Sequence, residues 1–569
     1  MIERRSARLG PGERAANLDR LDDESFDLVV IGGGITGAGS ALDAVSRGRS
    51  VALLEQRDLA AGTSSRSSKL IHGGLRYLEQ LELGLVREAL RERGLLLTKL
   101  APHLVRPVSF VYPLRHHIWE RAYVGAGVLL YATLARSSGS TLPGHRHLTK
   151  RTTLELFPGL RPDVFVGGIR YWDAQVDDAR YALAVARTAA ALGAVVLTST
   201  RVTGFDRVSG RVAAVDADCL ETGRRLRVEA RAVVNATGVW TDEVERLAGE
   251  SSGDVAASKG IHLVVARDRI ASSTGIIVRT EKSVLFVIPW GDFWLIGTTD
   301  TSWRLGLAHP AASRTDIEYL LGHVNELLAD PLDESDVVGV YAGLRPLLRG
   351  ESDSTSKLSR EHAVVEQVPG LFTVAGGKYT TYRVMARDAV DAALGPGAPA
   401  SRTADIPIHG AAGYHEAWTA RHAAAEAAGI DPHWVEHLLS RHGSETSEIM
   451  EAIADRRQLG APVPGAPGYL TAEIRHAVTH EAALHLDDVL TRRTRISIET
   501  PDRGVAAAPA VTELMAEVLG WDEATKAREL EHYLARVEAE LESQTMPDDH
   551  TADAARLGAP DVRTGRGDL

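Results

Sequence analysis

Phe26-Asp27-Leu28-Val29-Val30-Ile31-Gly32-Gly33-Gly34-Ile35-Thr36-Gly37 is the stretch that decides the fold. The apolar run reads as a buried strand, and the glycines after it turn the chain sharply into a helix. Gly32, Gly34 and Gly37 fit G-x-G-x-x-G: one turns the chain, one lets a pyrophosphate approach the backbone, and one permits close helix–sheet contact. Residues 38–47 continue as a helix, and Val51-Ala52-Leu53-Leu54 forms a second strand ending at Glu55. That carboxylate stands about twenty residues past the first glycine, where a ribose hydroxyl needs an acceptor. The whole strand–turn–helix–strand–acid unit predicts a dinucleotide site.

At 569 residues the chain is too long for one core, so two or three domains are expected. Its 64 Lys and Arg against 76 Asp and Glu give a net charge of −12, the wrong sign for a nucleic-acid binder. An anionic substrate remains compatible, because cations can converge in one cleft. Cys219 is the single cysteine, which excludes an internal disulfide, thiolate zinc clusters and iron–sulfur centres and suits a reducing cytoplasm. Residues 1–25 are charged, lack the apolar core of a secretory signal, and read as a disordered extension. The apolar stretch at 124–135 is shorter than the roughly 20 residues of a spanning helix.

Buried strands alternating with helices predict an α/β first body that ends at a Gly/Pro/Ala linker at 394–401, with an inserted segment between Pro107 and Tyr171 and several strands from Ser258 to Leu347. Residues 406–540, rich in Ala, Glu, Arg and Leu, form an all-α C-terminal domain, and the polar tail at 541–569 reads as disordered.

Further segments narrow the reading. Ser67-Ser68-Lys69-Leu70-Ile71-His72-Gly73-Gly74-Leu75-Arg76-Tyr77-Leu78-Glu79 resembles the signature of FAD-dependent glycerol-3-phosphate dehydrogenases. So do Asn235-Ala236-Thr237-Gly238-Val239-Trp240, Gly297-Thr298-Thr299-Asp300-Thr301, Ala342-Gly343-Leu344-Arg345-Pro346-Leu347 and Gly376-Gly377-Lys378-Tyr379-Thr380-Thr381-Tyr382-Arg383. Asp487-Asp488-Val489-Leu490-Thr491-Arg492-Arg493-Thr494-Arg495 is also similar to that family, while Tyr379 and Ile261-His262 depart from its pattern. The resemblance implies a discontinuous glutathione-reductase-like FAD-binding domain at 26–108, 172–248 and 345–400, an inserted β-sheet substrate domain at 109–171 and 249–344, and a helical C-terminal domain at 406–540. It also implies a cytoplasmic enzyme, peripheral on the inner face of the membrane, that passes electrons from glycerol 3-phosphate to a quinone. The sequence also allows a homodimer. An oxidase of the same fold using O₂ and an NAD-dependent dehydrogenase are the alternatives.

Oxidising a secondary alcohol removes the C2 hydride and the hydroxyl proton, and a substrate phosphate calls for Arg and Lys donors in fixed geometry. By resemblance Arg76, Arg345 and Lys378 line the substrate pocket, with Tyr77 as a further donor. His72 is the candidate base; water or a pocket cation is the competing route for the proton. For the cofactor, Gly32, Gly34 and Gly37 are expected at the pyrophosphate and Glu55 at the ribose. Ser64, Ser65, Ser67, Thr237 and Gly238 are read as further contacts. Gly376 and Gly377 open a helix aimed at the flavin, and Lys378 serves flavin and substrate together. No metal is expected: His476, His480 and Glu481 read as a packed helical face. The run at 124–135, flanked by Arg115, Arg121 and Arg136 and carrying aromatic residues, suits a bilayer interface as well as a buried helix.

Overall fold

The computed structural model describes residues 6–74, 82–138, 141–250, 253, 255–281, 284–349 and 361–563. Phe26–Ile31 is the middle of a parallel sheet, between Val51–Leu54 and Arg225–Asn235. Val195–Leu197 extends the sheet beyond Val51–Leu54, and Leu371–Gly376 extends it beyond Arg225–Asn235. The strand order therefore reverses at the C-terminal end of Phe26–Ile31, the place where open α/β sheets bind ligands. Helices Ile35–Ser46, Asp178–Ala191 and Tyr382–Leu394 cover one face, burying Ala38, Ala41, Val185 and Val390 against Leu28, Val30 and Leu53. Val29, Ile31 and Ala52 point to the other face, beneath the antiparallel strands Thr200–Val208 and Arg211–Cys219. A strand buried on both faces explains why 26–31 is apolar without alternation.

The second sheet has ten strands and is largely antiparallel, with Val255–Ala266 paired to both Phe293–Gly297 and Val337–Leu348. Its alternation is legible in the core: Ile261, Leu263 and Val265 face helix Arg314–Asn325, whereas Val264 faces the side covered by helix Trp119–Ser137. The expected boundaries at 108/109, 171/172 and 344/345 fall inside Val105–Leu114, Gly167–Val176 and Val337–Leu348. These strands run unbroken in the second sheet, so Arg345 belongs to that sheet and not to the first. The backbone ladder sets the boundary there, and a shift in composition does not.

Both termini differ from the expected disorder. Pro11–Asp23 is a helix that buries Leu18 and Leu21, with Leu9 N–H donating to the His480 carbonyl at 3.1 Å. Helix Glu523–Thr545 runs through position 541, and Asp549–Leu557 follows it, capped by Asp548. Asp549 pairs with the buried Lys259, and Arg563 pairs with Asp488 at 2.9 Å. A few buried anchors hold these polar segments, and mean polarity does not reveal them. The segment at 460–468 forms a small hairpin, Pro462–Val463 with Ala466–Leu470.

The C-terminal helices dock on the first domain through buried charge. Arg492 and Arg493 converge on Asp58, which is fully buried. His485 donates through Nδ1 to Glu529 at 3.0 Å and through Nε2 to Glu221 of the first domain at 2.9 Å. Burial and Arg563 pull the His485 pKa down, but the bonds to Glu221 and Glu529 outweigh them and push it up to about 9. A folded-state pKa above the ordinary value of about 6.5 stabilises the fold fully below that value and progressively less up to about 9. The contribution of His485 is therefore about 3 kcal/mol at acid pH and vanishes above its folded pKa. Urea unfolding from neutral pH to above 9 should show a loss of this size that His485→Gln removes; an unchanged pH slope in the variant rejects the role.

Candidate active site

A cavity of about 680 Å³ opens at the reversal point of the parallel sheet and extends to the second sheet. Gly32, Gly34, Glu55, Ser64, Ser67, Thr237 and Gly238 line it. His72, Arg345, Gly376, Gly377 and Lys378 line it as well. Gly37 lies outside the cavity wall: a Cβ there would stand 1.9 Å from the Gly32 carbonyl oxygen, so its role is to let the helix close on the turn. Gly32 has φ +106, and a Cβ would meet the Ala236 carbonyl oxygen at 2.8 Å. Ser65 is buried away from the cavity, its hydroxyl donating to the Gly62 carbonyl at 3.4 Å. Arg76 and Tyr77 lie outside the described residues.

Several polar groups on the wall are already committed. Glu55 accepts from Gly33 N–H at 2.6 Å and Arg57 N–H at 2.8 Å, and burial nevertheless raises its pKa. Ser64 Oγ accepts from Ile35 N–H at 2.9 Å, capping the helix after the glycine turn. Ser67 donates its hydroxyl to Asp178 at 2.7 Å, and Thr237 donates to Asn235 at 2.6 Å. These side chains shape the loops, leaving backbone amides as the nearest donors for a pyrophosphate. Gly376 and Gly377 precede a short turn, Tyr379–Thr381, before helix Tyr382–Leu394 begins.

On the second sheet, Arg345 donates to the Thr299 carbonyl at 3.2 Å and to Thr298 Oγ1 at 3.0 Å, with Asp300 3.5 Å away. His72 N–H donates to Thr380 Oγ1 at 3.1 Å, and that hydroxyl donates back to the His72 carbonyl, joining the two loops. Gly73 N–H donates to the Tyr131 hydroxyl at 2.8 Å, and Tyr131 donates to Asp173 at 2.7 Å.

The fit to a flavin dinucleotide rests on the two glycine turns, the carboxylate at the end of the second strand and the cavity's volume. Comparisons with known proteins agree. Residues 27–392 match the family described as FAD dependent oxidoreductase, and residues 401–526 match the C-terminal domain of alpha-glycerophosphate oxidase. Glycerol-3-phosphate dehydrogenase 2 of Mycobacterium tuberculosis is 54% identical over 98% of this chain and 96% of its own. The human mitochondrial glycerol-3-phosphate dehydrogenase is 35% identical over 92% of this chain and 74% of its own. The crystal structure of the Bacillus halodurans glycerol-3-phosphate dehydrogenase complexed with FAD superposes with TM-score 0.77 at 30% identity, covering 94% of this chain and 98% of that one. The chain belongs to the FAD-dependent glycerol-3-phosphate dehydrogenase family. This membership decides for flavin over the nicotinamide alternative.

Within that family frame the structure adds residues that sequence reasoning passed over. His262, 2% exposed, lines the cavity and stacks on Tyr341 with ring centroids 4.8 Å apart. Its Nε2 meets Ser68 Oγ at 2.8 Å, and its Nδ1 has no hydrogen-bond partner among the described residues. Burial, Arg345 and Lys69 hold its pKa well below the ordinary imidazole range, so it is neutral at pH 7. Asp178 gathers Ser67, Lys69 and Arg495. The sequence marked His262 only as part of the Ile261-His262 departure from the family pattern, with no role attached, and Asp178 carried no signal. Glu481 accepts Arg180 on both oxygens, at 2.8 and 2.7 Å, so with His442 and His476 nearby it forms an ion-pair junction.

Gly37→Ala should cut flavin content at purification at least severalfold and lower Tm, because the clash is with backbone. Full flavin loading with an unchanged Tm would contradict the packing role.

Proposed function

We propose that this protein oxidises sn-glycerol 3-phosphate at C2 to dihydroxyacetone phosphate and delivers the electrons to a membrane quinone. The observation that carries the reading is one cavity lined both by a dinucleotide turn and by Arg345, Lys378, His72 and His262. FAD, when bound, supplies the acceptor for the C2 hydride. Arg345 and Lys378 hold the phosphate, and the Thr298 and Thr299 contacts fix the guanidinium before substrate arrives. Of the two imidazoles, His262 is favoured as acceptor of the hydroxyl proton, because it lines the cavity and is held neutral by burial, Arg345 and Lys69. His72 then orients the alcohol through a loop fixed by Thr380 and Tyr131.

Asp300 sharpens the test of the phosphate anchor. Arg345→Ala removes a cation and also leaves the Asp300 carboxylate facing the substrate phosphate. The expected cost is about 2–5 kcal/mol, about 30-fold or more in kcat/KM, with flavin content unchanged. Glycerol should discriminate less between variant and wild type. Equal losses on both substrates reject the anchor, and rapid reoxidation of the reduced wild type by O₂ but not by a soluble quinone favours the oxidase alternative.

No helix among the described residues is long and apolar enough to cross a membrane. Helix Trp119–Ser137 instead carries an outward apolar stripe: Trp119 (62% exposed), Tyr123 (55%), Leu129 (56%) and Leu130 (40%), with Ile118 just before it. Its inward face buries Val128, Tyr131 and Ala135. An apolar stripe at helical spacing beside Arg115 and Arg121 supports seating on the inner membrane surface, where a quinone is available. Leu129→Glu/Leu130→Glu should lose co-sedimentation with anionic liposomes while staying folded and flavin-loaded. Equal sedimentation of the two proteins excludes this helix.

A further inference from the structure

A second, smaller cavity of about 70 Å³ lies behind the loop that follows Glu55, between the second sheet and the C-terminal helices. Five arginines line it, Arg66, Arg495, Arg503, Arg536 and Arg556, against two carboxylates, Asp487 and Glu540. Most of this charge is accounted for. Arg495 is held by Asp177 and Asp178, and Arg536 pairs with Asp487. Glu540 is shared between Arg503 at 3.8 Å and Arg556 at 3.6 Å. Arg66 forms no ion pair with any carboxylate among the described residues. Its charged surroundings are Arg536, Arg57, Arg556 and Arg492, which together with burial press its pKa down.

A neutral observation points the same way. Ser497, on the cavity wall, has a buried hydroxyl with no hydrogen-bond partner among the described residues. An unmatched donor and surplus positive charge around a space of this size call for an acceptor-rich anion. A single water needs about 10–15 Å³ on this measure, so the cavity admits a few heavy atoms and is too small for a nucleotide.

We propose that this cavity binds a small doubly charged oxyanion, inorganic phosphate or the head of a phosphate monoester, at Arg66, Arg503, Arg556 and Ser497. Arg66 lies on the same loop as Ser64 and Ser67 and also lines the flavin cavity. Arg536 and Arg556 lie on the last two helices, Glu523–Thr545 and Asp549–Leu557. An anion here relieves repulsion between the flavin loop and the C-terminal domain and stabilises their docking. The site stands independently of the proposed reaction, since none of Arg503, Arg556 or Ser497 lines the larger cavity.

The test uses holoenzyme and compares Tm in about 10 mM phosphate with Tm in chloride of equal ionic strength. Wild type and Arg345→Ala should both gain about 2 °C or more, and Arg66→Gln should lose the gain. No gain in wild type, or a gain that survives Arg66→Gln, overturns the proposal. A gain lost only in Arg345→Ala assigns the anion to the substrate pocket and likewise overturns it. Glycerol 2-phosphate in place of phosphate separates the two sources: an equal gain identifies a monoester-accepting site, and a smaller one an inorganic phosphate site. If Arg66→Gln fails to fold, selenate-soaked wild-type crystals decide, an anomalous peak between Arg66 and Arg556 supporting the site and its absence rejecting it.

Discussion

The Asp178 carboxylate is the constraint on which the rest of the site depends. It is fully buried and accepts from Ser67 N–H and Oγ, from Lys69 Nζ at 2.8 Å and from Arg495 Nη2 at 2.6 Å. Its own carbonyl accepts from the Tyr379 hydroxyl at 2.5 Å. A charge so far from water is tolerable only with all its partners in place. The flavin loop, the turn carrying Lys378 and the C-terminal helical domain are therefore held to one point. None of the three can be placed without the other two, which makes the cavity a product of the whole chain and not of its dinucleotide unit.

Charge is distributed with the same logic elsewhere. The chain is acidic overall, yet the interior junctions between domains are built from arginine and carboxylates, Arg492 and Arg493 on Asp58 and Arg187 on Glu445 among them. Pairs of this kind add little net stability over apolar packing, but losing one partner strands the other. They select a single docking geometry. In the large cavity Arg345 is met by Asp300 at 3.5 Å and by the Thr299 carbonyl at 3.2 Å, so its guanidinium is held from more than one side.

The dinucleotide turn was legible because its chemistry is local. Gly32, Gly34 and Gly37 announce a backbone shape within six residues, and Glu55 follows on the next strand. The strands, the helices between them and the helical C-terminal segment were legible from periodicity, whereas the inserted sheet domain followed from the family resemblance. What escaped was non-local. Asp178 and Arg495 are 317 positions apart, and nothing in either neighbourhood marks them as partners. His262 sits in an apolar strand where a histidine reads as a stray polar residue, and only the register beside Tyr341 and Ser68 gives it a role. The terminal segments were misread for a related reason, since Leu18, Leu21, Asp549 and Arg563 are single anchors in polar sequence. The expected domain boundaries followed composition, whereas a strand such as Val337–Leu348 carries its identity in hydrogen bonds.

Tyr131 belongs to two environments at once. Its helix turns Leu129 and Leu130 outward, while its own hydroxyl, kept protonated by burial and Asp173, holds the amide next to His72 at 2.8 Å. A hydrogen bond of this length does not survive a displacement of about 1 Å. The helix therefore acts as a short rigid lever with one arm on the protein's surface and the other on the loop of His72. Lateral force on the outer arm is felt at the inner one without passing through any other side chain.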